Sequence, residues 1–317
     1  MGHLDSCLRG NDINCVITCQ KCMWTGSAYV GAQNFEPLRD DTAFALSQDA
    51  VSGSTGSPRT GYTIQNSFSG WADLKQSFAI ETRNLTKKFG AFTALSDLNL
   101  RIESGVIHGL LGPNGAGKTT AIKILCGLLK PSGGEAYIFG KKVPDRSILP
   151  QIGYMPQETA LYLELSVHHN LALYGELYGM SRDRIAEREK ELLQFIALEK
   201  WRDEPVANLS GGMKHRVSLA CSMIHEPKLL FLDEPTVGVD PELRASFWEY
   251  FNALKHKGIT IVMTTHYMDE AQHCDRIGLL RLGKLIAEGT PSEITRQTKT
   301  TSLEDAFLAL SRQEVEA

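Results

Sequence analysis

Gly112-Pro113-Asn114-Gly115-Ala116-Gly117-Lys118-Thr119-Thr120, directly after the strand-like Val106-Ile107-His108-Gly109-Leu110-Leu111, is the stretch whose reading decides the fold. It is a G-x-x-x-x-G-K-[ST] loop between a strand and a helix. A phosphate chain needs several donors converging on it. Glycines let the backbone curl into a concavity whose N–H groups point inward, and the N-terminus of the next helix adds a positive dipole end. Lys118 then supplies charge and Thr119 a hydroxyl for a metal ion. The loop therefore predicts a nucleoside-triphosphate site.

Outward from the loop, Ala121, Ile124, Leu125, Leu128 and Leu129 recur at helical spacing, predicting a helix that Pro131-Ser132-Gly133-Gly134 stops. A strand and turn follow over Glu135 to Gly140. On the N-terminal side, Phe78 to Thr82 and Leu98 to Ile102 alternate apolar and polar, as half-buried antiparallel strands do. Residues 1 to about 76 show no sustained period and include the Ser/Gly/Thr-rich run from Ser47 to Gly70, so they read as a disordered extension. Cys7, Cys15, Cys19 and Cys22 lie in it, at spacings that match no common paired zinc arrangement.

Between Tyr162 and Asn208 the pattern turns helical. Ser166 is an N-cap candidate, and a charged helix from Ser181 carries Ile185, Leu192, Leu193 and Ile196 on one face. Sheet character returns with Leu229-Leu230-Phe231-Leu232 and with Gly258 to Met263, continuous apolar runs of the kind that mark strands buried on both faces. Helices separate these runs, which points to a parallel α/β core.

Two carboxylates stand out. An Asp-Glu pair is usually solvated surface, but Asp233 and Glu234 follow four apolar residues at the C-terminal end of a buried strand, where an open parallel sheet presents its ligand-binding groups. Beside a phosphate loop they divide the labour: Asp233 holds Mg2+ and Glu234 takes the proton from an attacking water. Leu209-Ser210-Gly211-Gly212-Met213 opens a further helix, with Met213, Val217, Ala220, Cys221 and Ile224 on its apolar side. By itself that is a serine-capped helix of a common kind. His168, His169, His215, His225, His256 and His273 are read as solvated or capping; only His266 ends a buried strand beside the expected site.

Phosphate loop, Gln157, Leu209 to Met213, Phe231-Leu232-Asp233-Glu234, Asp240 and His266, in this order, resemble the ATP-binding-cassette (ABC) ATPases over residues 78 to about 290. The resemblance implies an α/β P-loop NTPase core with a parallel sheet, an N-terminal antiparallel β subdomain and an inserted α-helical subdomain. The cassette would span 77–290, with the helical subdomain at about 162–225 and a helical tail at 291–317. It further implies that Phe89 stacks on adenine and that Gln157 touches the metal and couples to a membrane partner. His266 would contact the γ-phosphate, and Ser210 and Gly212 the ATP held by a second copy. Gly211 and Asp240 complete the nucleotide-facing set, with ATP and Mg2+ as ligands and a head-to-tail homodimer as the active form. Met213 stands where glutamine is commoner, and Val237-Gly238-Val239-Asp240 replaces the usual loop. Both variants, and the terminal Ser302 to Leu308, are similar to bacterial exporter cassettes of the ABC-2 class.

Bulk properties fit that reading. Net charge is -4 and charged residues make up 22%, which gives no electrostatic footprint for nucleic acid. No signal peptide and no membrane-spanning run of ~20 apolar residues is seen, so a cytoplasmic chain, peripheral on the inner membrane face, is expected. Seven scattered cysteines read as reduced thiols, with Cys126, Cys221 and Cys274 as small buried hydrophobes. The expected partner is a separate transmembrane permease docked on the helical insert. A soluble ABC ATPase acting on ribosomes or nucleic acid remains the alternative class, and a non-catalytic regulatory cassette a third.

Overall fold

The computed structural model describes residues 78–316. The expected N-terminal extension and its four cysteines lie outside the described residues. Strands β1 (Phe78–Phe89) and β2 (Phe92–Glu103) form an antiparallel hairpin paired from Phe78↔Glu103 to Phe89↔Phe92, with register shifts along the way. β3 (Ile107–Leu111) leads into the phosphate loop and helix α1 (Lys118–Leu125). β4 (Gly133–Ile138) pairs with β1 and β5 (Lys141–Lys142) with β4, completing an antiparallel sheet of order β2-β1-β4-β5.

After β6 (Ile152–Met155) come three helices: α2 (Val167–Leu177), α3 (Arg182–Phe195) and α4 (Gly211–Met223), capped by the side chains of Ser166, Ser181 and Ser210. The chain then alternates: β7 (Leu229–Asp233), α5 (Pro241–His256), β8 (Thr260–Thr265), the one-turn α6 (Met268–Ala271), β9 (Arg276–Arg281) and β10 (Lys284–Gly289). Helices α7 (Pro291–Thr298) and α8 (Leu303–Glu316) close it. The second sheet has the order β10-β9-β3-β8-β7-β6, parallel throughout except for β10.

Period-two alternation along the central strands feeds two cores. Leu230 and Leu232 of β7, with Ile261 and Met263 of β8, pack toward the helices; Leu229, Phe231 and Val262 pack toward α1 and the antiparallel sheet. Strands buried on both faces are apolar at most positions, which is why these segments read as near-continuous apolar runs. The parallel arrangement sends the C-terminal ends of β3, β7 and β8 to one edge, where the phosphate loop begins.

Two expected boundaries shift. Helix α1 ends at Leu125 and not near Pro131, because Gly127 turns to φ +74 and Leu128 N–H bonds back to the Lys123 carbonyl at 2.9 Å. Leu128 and Leu129 pack against the core from the loop beyond. The strand expected from Gly258 runs instead over Thr260–Thr265, since Gly258 (φ +84) is used to terminate α5. Among the described residues no helix is long and apolar enough to cross a membrane.

Candidate nucleotide-binding site

The phosphate loop is shaped by close backbone approach. A Cβ on Gly112 would lie 2.2 Å from the Leu280 carbonyl oxygen, and one on Gly117 would lie 2.6 Å from that of Ala94, so no other residue fits either position. Exposed Pro113, Asn114 and Gly115 form the outer rim. Gly117 caps α1 with no side-chain hydrogen bond, which leaves the first-turn N–H groups of Lys118, Thr119 and Thr120 available to an anion. Lys118 arches over the loop, its Nζ donating to the Gly112 carbonyl at 2.6 Å and to that of Pro113 at 3.2 Å. Burial pulls its pKa below the ordinary lysine value, while the Glu234 and Asp233 carboxylates work in the opposite direction.

Asp233 ends β7 and is 1% exposed. Its Oδ1 accepts hydrogen bonds from Thr119 Oγ1 at 3.2 Å and from Thr264 Oγ1 on the neighbouring strand. Its Oδ2 is buried with no hydrogen-bond partner. A buried carboxylate oxygen left bare is costly unless a cation or water completes it. Beside a threonine hydroxyl, this donor set fits a hard divalent ion that keeps several of its waters, as magnesium does. Among the described residues no group of three or more His, Cys, Asp or Glu could hold a metal ion by itself.

Glu234 is the centre of the constellation. Its backbone is left-handed, φ +56, which a side-chain-bearing residue adopts only when its surroundings hold it there. Here the Glu234 N–H donates to Thr264, to the carbonyl at 3.2 Å and to Oγ1 at 3.0 Å. Its carboxylate accepts from Gln157 Nε2 at 3.2 Å on one oxygen and meets His266 Nδ1 at 3.1 Å on the other. Gln157, Glu234, His266, Asp233, Thr119 and Lys118 thus come together, although they are spread over more than a hundred residues of sequence.

The remaining expected residues lie apart from this cluster. Ser210 and Gly211 are exposed at the start of α4, where Ser210 Oγ accepts from Met213 N–H at 3.3 Å. A Cβ on Gly212 would stand 2.9 Å from the Gly238 carbonyl oxygen, so the Ser210–Gly212 turn packs against the loop that leads to Asp240. Asp240 is exposed and caps α5, accepting from Leu243 N–H at 3.0 Å. Phe89 is 49% exposed at the end of β1, with Lys87 Nζ 4.9 Å from its ring centre.

Sequence reasoning passed over three contributors. Thr264 was legible as a polar residue ending an apolar strand, but its bonds depend on the β7–β8 pairing Asp233↔Thr264. The Gly283 N–H donates to the Ala116 carbonyl at 3.1 Å, and nothing in the local sequence signals it. His215 is a correction: it was expected to be solvated or capping, yet it is buried, and its Nε2 lies 2.9 Å from the Glu234 carbonyl oxygen. Burial lowers its pKa, partly opposed by that carbonyl and the Glu234 charge. His225 corrects in the same way, stacked 3.6 Å from the Tyr178 ring and bonded to the Ile152 carbonyl at 3.0 Å.

A parallel sheet that delivers a phosphate loop, a buried aspartate and a held glutamate to one edge defines a P-loop nucleotide-binding protein. The family model described as "ABC transporter" matches residues 95–237. The chain is 43% identical over 238 residues to "Probable multidrug ABC transporter ATP-binding protein YbhF" of Escherichia coli (strain K12), covering 73% of this chain and 41% of that one. It is 41% identical over 220 residues to "Nod factor export ATP-binding protein I" of Cupriavidus metallidurans, covering 68% and 72%. The solved "Structure of ATP binding subunit of ABC transporter" superposes with a TM-score of 0.69 at 33% identity, covering 74% of this chain and 99% of that one. "Dimeric Structure of MJ0796, a Bacterial ABC Transporter Cassette" gives 0.63 at 29% identity, covering 67% and 98%. The chain belongs to the ABC transporter ATP-binding proteins. It spans less than half the length of YbhF.

Proposed function

We propose that this chain binds and hydrolyses ATP to power transport, in the direction of export, through a separate membrane-spanning subunit. The observation that carries the reading is the convergence of Gln157 and His266 on the two carboxylate oxygens of Glu234, next to Asp233, Thr119 and the phosphate loop. Backbone N–H groups from Gly115 to Thr120 and the Lys118 ammonium hold the phosphates. Thr119, Asp233 and Gln157 would hold Mg2+, which would supply neutralisation of phosphate charge. Glu234 accepts the proton of the attacking water, and His266, on its other side, faces the γ-phosphate. Phe89 stacks on the base.

As the resemblance to ABC ATPases implies, Ser210 and Gly212, which sit outside the cluster, contact the nucleotide of a second copy, Gly211 and Asp240 complete the nucleotide-facing set, and two chains enclose two ATP molecules head to tail. Closing and reopening of that pair converts binding energy into movement of the membrane subunit. The dimeric solved cassette supports the pairing, and the transporter names of the relatives support the membrane partner and the direction. Residues 77–290 are the cassette and 291–317 its tail. The full chain would then lie against the inner face of the cell membrane.

The test is recovery of the tagged full-length chain from detergent-solubilised native membranes. A polytopic membrane protein in stoichiometric amount is expected; recovery with ribosomes or nucleic acid instead would contradict the membrane reading.

A further inference from the structure

We infer that His215 is a positioning residue for hydrolysis: from helix α4, which Ser210 caps, it holds the Glu234 backbone and thereby sets where the Glu234 carboxylate sits. The inference rests on Glu234 being the base proposed above.

The Glu234 peptide is gripped from two sides. From β8, Thr264 takes its N–H through both the carbonyl and the hydroxyl oxygen. From α4, His215 Nε2–H donates to its carbonyl at 2.9 Å. A left-handed non-glycine residue persists where neighbouring structure over-determines it, and here the carbonyl half of that determination comes from the His215 side chain at 2.9 Å, with a longer bond from the Val237 N–H at 3.4 Å beside it. Both residues are buried, at 9% and 8% exposure, so losing the bond carries a desolvation cost.

The bond also ties α4 directly to the Glu234 backbone, in addition to the packing of Gly212 against the Gly238 carbonyl. Ser210 caps α4 and Gly212 lies in its first turn, and His215 stands five residues beyond Ser210, about 1.4 turns or 7.5 Å along the axis at ~1.5 Å per residue. A hydrogen-bonded helix moves nearly as a rod, so a shift of the Ser210 end is carried to the Glu234 carbonyl. The Glu234 carboxylate, held by Gln157 and His266, responds to where its own backbone stands. In this arrangement the base is aligned in step with whatever Ser210 and Gly212 contact.

The chemistry of the bond dictates the test. Glutamine carries an amide N–H at nearly the reach of the imidazole Nε2, whereas asparagine is one methylene short and equally polar. His215→Gln is expected to keep kcat within about threefold of the native value. His215→Asn is expected to lose about tenfold or more in kcat, with KM for ATP changed by less than about twofold. Equal rates in the two folded variants overturn the inference, as does a loss confined to KM or a fall in kcat that only tracks melting temperature. Failure of His215→Gln to fold also overturns it, because the amide should replace the imidazole. Glu234→Gln, measured alongside, separates the two levels: native turnover there defeats the base assignment, whereas an inactive Glu234→Gln with an unaffected His215→Asn defeats the His215 role alone.

Discussion

The Gly283 N–H in the turn between β9 and β10 donates to the Ala116 carbonyl at 3.1 Å, fastening a hairpin from the far end of the chain to the phosphate loop. A trans peptide points its C=O and N–H in opposite directions, so holding the Ala116 carbonyl outward turns the Gly117 N–H into the loop's concavity. The Gly283 carbonyl in turn accepts from Ser96 N–H at 2.8 Å, which ties the same turn to β2.

Gly283→Ala should therefore weaken nucleotide binding. At φ +81 an added Cβ would stand 2.8 Å from the Ala94 carbonyl oxygen, so the turn must shift and its bond to Ala116 stretch. Loss of a hydrogen bond worth about 1 kcal/mol corresponds to a five- to tenfold weaker Kd for a non-hydrolysable ATP analogue by calorimetry. An unchanged Kd would mean that the loop holds its shape without the hairpin.

Thr264→Val keeps shape but removes the hydroxyl shared by Asp233 Oδ1 and the Glu234 N–H. Both groups are buried, and each retains one other partner, so a destabilisation of roughly 1–2 kcal/mol is expected in urea unfolding. Turnover should fall further than stability alone explains, because the Asp233 carboxylate, proposed to hold magnesium, loses an anchor. A native unfolding midpoint would show that the hydroxyl is dispensable.

Acid should destabilise the fold through buried histidines. Burial depresses the His225 pKa to about 4 from an ordinary 6.5, and that of His108, with neither ring nitrogen partnered, to about 3. The unfolded chain then binds more protons than the folded one, so stability falls as pH drops from 6.5 and the His225 share is fully lost by about pH 4. That share is on the order of 3 kcal/mol. His225→Gln, which keeps a donor for the Ile152 carbonyl, should flatten the melting-temperature profile over this window; a slope as steep as the native one would contradict the assignment.

Phosphate loop, Asp233 and Glu234 were legible in sequence because their chemistry is local: a loop needs its glycines adjacent, and a carboxylate pair needs a buried strand immediately before it. Thr264, His215 and Gly283 act across the fold, through strand pairing, helix packing and a hairpin turn, and a residue's own neighbourhood carries no trace of such a partner. The boundary errors have the same origin. Leu128 and Leu129 keep helical spacing, but Gly127 ends α1 before them, and they reach the core from a loop. His215 and His225 fit a solvated or capping role by sequence, since periodicity alone does not show which helix face a neighbouring strand will cover.

The most direct measurement is γ-phosphate release by full-length Glu234→Gln at saturating ATP and magnesium. The substitution keeps the side chain's size and its capacity to meet Gln157 and His266 but removes the proton acceptor. A fall in kcat of about 10²- to 10⁴-fold with ATP still bound is expected of a lost general base. Turnover within a few-fold of the native chain would contradict the role of Glu234 and, with it, the composite hydrolytic site.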